Sequence, residues 1–301
     1  MLLADALRRV DVLADADPCT AERLAGLTNI NYLLHHEGSS YVVRLPGEGT
    51  CEYIDRAAES VAAASASAAG VNADLVFFDP VDGLMVTRYL RGAVTMSPAA
   101  FRDLGALRRA GKAFRRLHDR AERFPTDFAL FTMIDDYKQL LADKQARLPD
   151  GYAQTQRTAE RARAAIQRHP TARVPSHCDP LCENFLDTGD RMYIIDYEYA
   201  GNNDPMWDLG DLSVEGGFNE HQDRALLLAY FNGEPPADQV ARMVLYKGFC
   251  DLLWTLWGVI QHANNNPAED FWTYAVVRHE RCRTLMDTPR FADAIAELER
   301  S

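Results

Sequence analysis

The texture of the chain changes once, near residue 90, and that change limits the folds open to it. Residues 24–46, "LAGLTNINYLLHHEGSSYVVRLP", hold two β-rich runs, "NYLLHH" and "YVVRL", joined at "EGSS", which predicts a hairpin. The next block, "IDRAAESVAAASASAAG", is rich in Ala and closes on Gly70, which predicts one helix with a glycine stop. Two more β-like runs follow, "ADLVFFD" and "GLMVTRYL", joined at "PVDG". From Ser97 onward apolar residues recur at helical spacing, interrupted between Val174 and about Gly201, where "NFLDTGDRMYIIDY" predicts a second short hairpin. The order predicts an α+β, bilobal architecture with a cleft between lobes. A small β-rich lobe covers residues 1–90, a connector lies at Tyr89–Ser97, and a larger, mainly helical lobe covers residues 91–301.

Charge and composition remove whole classes of function. With 301 residues, 47% of them apolar, the chain can bury a large core, and disorder is not expected. Lys and Arg number 32 against 44 Asp and Glu, and the net charge of −12 repels phosphate backbones and anionic membranes. Neither nucleic acid nor a membrane is the expected partner. The basic run "RRAGKAFRRLHDR" does not alter this, because Leu107, Ala110, Phe114 and Leu117 make it the solvated face of an amphipathic helix. Six cysteines without a CxxC pair fit a reducing cytoplasm. "MLLADALRRV" carries Asp5, Arg8 and Arg9 where a signal peptide needs an apolar core. "GFCDLLWTLWGVIQ" is interrupted by Asp251 and reads as too short to cross a bilayer. The expectation is a cytoplasmic protein without membrane insertion.

Chemistry concentrates in "HCDPLCENFL" (177–186) and, 12 positions after Asn184, in "IIDYEYAG". Phosphoryl transfer asks for a base at the acceptor hydroxyl, oxygen ligands for Mg²⁺ and donors along the nucleotide phosphates. Asp179 suits the base, Asn184 offers a neutral oxygen to a metal, and Asp196, leaving a β-run, is the second metal arm, with Glu198 in reach of the same ion. His177-x-Asp179-x₄-Asn184 has the spacing of the protein-kinase catalytic loop, which places His177 with Asp179 in the catalytic set. As a mere turn or N-cap residue before Pro180, Asp179 would leave Asn184 and Asp196 unexplained. A zinc site at His177, Cys178 and Cys182 lacks a complementary Cys/His pair. On the nucleotide side, "GLTNINY" is the candidate phosphate loop, with Gly26, Thr28, Asn29 and Asn31. Arg44 and Glu59 read either as a phosphate-side ion pair or as an ordinary surface salt bridge, and Thr87 and Tyr89 complete the ATP-side set.

The sequence resembles the choline/ethanolamine kinase family, within the kinase-fold small-molecule phosphotransferases that also include aminoglycoside kinases. "GLTNINYLL", "YVVRLPG" with "IDRAAES", "HCDPLCENFL", "IIDYEYAG" and "LLWTLWGVIQ" look like that family's blocks in its order. The resemblance implies a protein-kinase-like fold and an ATP- and Mg²⁺-dependent kinase of choline or a related amino alcohol. It implies Asp179 as base, Asn184 and Asp196 as magnesium holders, Arg44 and Glu59 as the phosphate-side pair, and Asp208 as a brace for the catalytic loop. Cys178 and Pro180 depart from the family's usual Asn or Gly and Leu. For the substrate, Trp254 and Trp257 share a helix face, and Tyr199 and Trp207 lie near the metal motif. A quaternary ammonium has no N–H to donate, so ring faces and carboxylates such as Glu215 or Asp251 must hold it. Pattern alone equally allows the two tryptophans to be core. Ethanolamine, an aminoglycoside, or a catalytically silent kinase-like module are the competing readings.

Overall fold

The computed structural model describes residues 2–24, 29–47 and 54–300. They form two compact units, Met1–Asp127 with Val174–Asn202, and Phe128–Arg173 with Asn203–Ser301. In the first unit, α1 (Leu3–Leu7) precedes a five-stranded antiparallel sheet of β1 (Glu22–Leu24), β2 (Ile30–His36), β3 (Ser39–Leu45), β4 (Leu75–Phe78) and β5 (Met85–Arg88), in the order β1-β2-β3-β5-β4. The predicted hairpin is β2–β3, but its turn is only Glu37 and Gly38, with φ of 48° and 73°. Two successive positive φ values match the right-handed twist of the strands, so pairing resumes at Ser39. Alternation along the strands turns Leu34, Tyr41, Val43, Leu45 and Val86 inward, where they meet Ala6, Leu7 and Leu13.

The Ala-rich block forms α2 (Arg56–Ala68), capped by the Asp55 carboxylate, which accepts from the Ala58 amide, and followed by Gly70 at φ 68°. Its buried face carries Ala62, Ala63 and Ala66, and also Arg56 and Glu59. The basic run lies in α3 (Leu104–Arg120), which buries Leu107, Ala110, Phe114 and Leu117 as the periodicity predicts. Phe101 and Phe114 each meet Phe185 edge-on at 5.5 Å. The second predicted hairpin is β8 (Phe185–Asp187) with β9 (Met192–Ile194), and β6 (Val94–Thr95), unforeseen inside the connector, pairs with β8. β7 (Val174–Ser176) pairs with β10 (Gly201–Asn203).

The second unit is helical: α4 (Leu130–Asp143), α5 (Tyr152–Arg168), α6 (Pro205–Glu215), α7 (Glu220–Phe231), α8 (Ala237–Ala263), α9 (Phe271–Met286) and α10 (Pro289–Arg300). The stretch read as too short to cross a bilayer belongs to α8, whose 27 residues are long and apolar enough by composition, but 83% of its apolar window is buried. α8 is the core helix, packed by α4, α6, α9 and α10. Gly258 permits the approach of α9, since a Cβ there would lie 2.8 Å from Tyr274. Among the described residues, Cys19, Cys178, Cys182, Cys250 and Cys282 form no disulfide.

Candidate active site

His177 leaves β7 and opens the loop that turns through Cys182–Asn184 into β8. It has no exposed surface. Its Nε2 lies 2.8 Å from the Ile195 carbonyl, and because a carbonyl only accepts, that nitrogen donates the proton. The ring also meets Tyr197 edge-on at 4.9 Å. This corrects the placement of His177 among catalytic groups: with no exposed surface, it positions the two motif segments against each other. The Ile195 amide donates to the Asn184 carbonyl at 2.9 Å, a second tie between the segments. Asp179 is half-buried, and its backbone carbonyl accepts from the Leu181 amide at 2.9 Å and from Asn184 Nδ2 at 3.1 Å. With Nδ2 so engaged, Asn184 keeps its side-chain oxygen for another partner.

Each motif contains a non-glycine residue in the left-handed region, Cys178 at φ 68° and Asp196 at φ 71°. Such conformations persist only where the surroundings over-determine them. Cys178 is fully buried, its Sγ 3.6 Å from the carbonyls of Ser176 and Gly201. Asp196 follows Ile195, whose amide and carbonyl are both fixed by the bonds above.

Beside Asp196 lies a buried charge network. Arg44 on β3 holds Glu59 of α2 at 2.6 Å, Asp196 at 3.3 Å and Glu198 at 3.6 Å. Arg56 holds Glu59 at 2.6 Å and Glu198 at 2.8 Å. The side chains of Arg44, Glu59, Arg56 and Glu198 are at most 6% exposed, whereas Asp196 keeps 35%. Burial removes the surface-salt-bridge reading of Arg44 and Glu59. Glu198 Oε1 also accepts from Asn29 Nδ2 at 2.8 Å, and Asn29 Oδ1 accepts from the Gly47 amide at 3.2 Å. Partial loss of water holds the Asp196 carboxyl above the ordinary carboxylate range, helped by the neighbouring Glu198 charge and opposed by Arg44. Burial works against the Arg56 charge, yet its bonds to Glu198 and Glu59 hold its pKa above the ordinary value. Oxygens of Glu59, Asp196 and Glu198 lie within 4.8 Å of one another, a donor set of the hard type that Mg²⁺ takes. Arg56 was not foreseen, because an Arg three residues before a Glu on an Ala-rich helix looks like a solvated pair.

Asn31 stands opposite Arg44 in the β2–β3 register. Thr87 is buried on β5, and the half-buried Tyr89 donates its amide to the Ser40 carbonyl at 3.0 Å. Gly26 and Thr28 lie outside the described residues. Tyr199 is 36% exposed.

The remaining residues read as substrate contacts belong to the second unit. Trp207 has no exposed surface and packs between Phe128 at 5.3 Å and Tyr246 at 6.0 Å, so it is a core residue and not a ligand contact, which corrects the expectation. Periodicity could not tell these apart, since nearly every position of α6 is buried. Trp254 and Trp257 are half-buried, with ring centroids 5.8 Å apart, and Trp257 continues to Phe271 at 5.4 Å and Tyr274 at 5.7 Å. Glu215 and Asp251 are already paired, Glu215 with Arg278 and Asp251 with Arg278 and Arg281. Asp208, in the first turn of α6, is fully buried.

Comparison with known proteins identifies the family and the fold. The sequence profile of the phosphotransferase enzyme family (APH) matches residues 20–241. A choline/ethanolamine kinase family protein of Mesorhizobium loti is 49% identical and superposes with a TM-score of 0.91 over 99% of this chain and 98% of that one. Choline kinase LicA of Streptococcus pneumoniae is 26% identical, with a TM-score of 0.71 over 88% of this chain and 92% of its own. Protein LicA of Haemophilus influenzae is 28% identical over 87% of this chain and 99% of its own length. The fold these structures share is the bilobal, kinase-like α+β fold read from the sequence. The chain belongs to the phosphotransferase enzyme family and is a kinase of the choline/ethanolamine kinase type.

Proposed function

We propose that the protein is an ATP- and Mg²⁺-dependent kinase that phosphorylates the hydroxyl of choline or a related amino alcohol by direct in-line transfer. The observation that carries the reading is the pair of ties, His177 to Ile195 and Ile195 to Asn184, that join the segment of Asp179 and Asn184 to that of Asp196. The named relatives support the substrate class. Residues 1–90 would serve the nucleotide and residues 91–301 the catalytic and substrate groups.

Asp179 takes the proton of the acceptor hydroxyl as its oxygen attacks the γ-phosphorus and the bond to the bridging oxygen of ADP breaks. Arg44, held by Glu59, directs its charge to the nucleotide phosphates. Asp196 and the Asn184 side-chain oxygen would hold Mg²⁺, since Glu59 and Glu198 are largely engaged by arginines. Bound there, the ion would neutralise charge on the phosphate oxygens. Trp254 and Trp257 are the proposed ring faces for the ammonium. The test is a coupled ADP-release assay over choline, ethanolamine and aminoglycosides, with and without Mg²⁺. Mg²⁺-dependent turnover of an amino alcohol is expected. Turnover of an aminoglycoside alone overturns the substrate class, and activity independent of divalent metal overturns the cofactor.

A further inference from the structure

Glu215 and Asp251, the carboxylates read as counter-charges for a cationic substrate, already hold a cation of the chain's own. Arg278 on α9 grips Glu215 through both guanidinium nitrogens, at 2.5 Å and 3.1 Å, and reaches Asp251 at 3.2 Å. Its guanidinium lies 5.2 Å from the centre of the Tyr274 ring, one helical turn away, and Tyr274 leads on to Trp257 and Trp254. Two carboxylates and a ring face, continuous with further aromatic rings, are the groups that hold an organic cation. Arg278 and Tyr274 also line an open pocket of about 410 Å³ together with Glu269, Asp270, Thr273 and Arg281. Asp251 keeps Arg281, at 2.5 Å, when Arg278 moves, so only Glu215 is released. Burial pushes the Tyr274 phenol up to about 12, so that ring stays neutral.

We propose that Arg278 is a specificity-determining residue: an internal cation that occupies the aromatic–carboxylate cluster and is displaced from Glu215 by the ammonium group of the substrate. The inference rests on the amino-alcohol reading above. Exchanging one cation for another leaves Glu215 neutralised before and after binding, so the site discriminates by charge and holds the cationic substrate less tightly than a vacant carboxylate would. An uncharged molecule of the same shape does not take part in the exchange.

The experiment uses full-length Arg278→Gln and Arg278→Lys. It compares KM for choline with KM for its uncharged isostere, 3,3-dimethylbutan-1-ol, and follows tryptophan fluorescence during titration with tetramethylammonium. In Arg278→Gln, choline KM and tetramethylammonium Kd are expected to fall at least about threefold, and the isostere's KM to stay within about twofold. Lys cannot span Glu215 and Asp251 with a fork, so its effect is smaller in the same direction, and it keeps the test open if the Gln variant does not fold. Unchanged or raised choline KM in the folded variants makes Arg278 a structural tie and overturns the inference. Failure of the wild-type enzyme to phosphorylate any amino alcohol overturns the functional reading instead. The tetramethylammonium titration then decides Arg278 on its own, a Kd unaltered in both variants overturning the inference and a lowered one sustaining it.

Discussion

Replacing Glu59 with Gln tests whether the buried network holds the nucleotide side of the site. Glu59 is 1% exposed and makes two ionic contacts of 2.6 Å, to Arg44 and to Arg56. Removing one partner of a buried ion pair costs about 3–5 kcal/mol, because a desolvated charge is left without compensation. Two features put Glu59→Gln at the lower end of that range. Arg44 keeps Asp196 at 3.3 Å and Arg56 keeps Glu198 at 2.8 Å, and Gln retains the volume and one acceptor oxygen. At about 2–4 °C of melting temperature per kcal/mol for a large domain, a loss of about 3 kcal/mol lowers Tm by roughly 6–12 °C. The guanidinium of Arg44 also turns toward Asp196, so KM for ATP should rise several-fold while choline KM changes little. Thermal unfolding by circular dichroism and steady-state kinetics read both effects. A Tm within about 2 °C of wild type together with unchanged ATP kinetics refutes the reasoning.

Asp179→Asn should lower kcat by at least about a hundredfold with little effect on KM for ATP, since it removes the base and keeps the shape; near-normal turnover refutes that role. Trp257→Ala should raise choline KM from a few-fold to about thirtyfold while ATP KM stays within about twofold. A lowered Tm with equal damage to choline and ethanolamine kinetics would instead assign the ring to packing alone. Cys178→Val places a β-branched residue at φ 68° and should cost about 2 kcal/mol, whereas Cys178→Gly should keep more activity; equal melting temperatures for the two would count against backbone strain at this position.

What the sequence revealed follows the range of the forces involved. The β2–β3 hairpin and α2 were legible because turn residues, Ala content and a closing Gly70 act over a few positions. The buried face of α3 was legible because its apolar stripe is narrow and its other face strongly charged. The spacing of Asp179, Asn184 and Asp196 pointed to two linked segments, though nothing local showed that the His177 side chain ties them together. Arg56 and Arg278 were missed for one reason: a cation earns a buried place only through partners far off in sequence, Glu198 and Glu215 respectively. Trp207 was misplaced because α6 has no solvated face to reveal which way its ring points.

Strain and charge meet in the same few residues, and the order of "IIDYEY" explains why. Ile195 is fixed at both backbone groups, its amide on the Asn184 carbonyl and its carbonyl on His177. The left-handed turn at Asp196, a conformation that costs a non-glycine residue about 1–2 kcal/mol, begins immediately after that anchor. It sends Asp196 toward Arg44, Tyr197 onto the buried His177 ring, and Glu198 to Arg56 and Asn29. Alternate residues therefore serve opposite purposes, two carboxylates meeting the cations of β3 and α2 while the aromatic ring between them locks the loop. A chain that relaxed at Asp196 would turn both carboxylates away from Arg44 and Arg56 and leave two buried cations to share the single charge of Glu59, a larger penalty than the strain itself. The charge network thus holds the strained residue in place, and the strained residue keeps the most exposed of the network's carboxylates beside the Asn184 loop, where the proposed phosphoryl transfer would need an oxygen ligand.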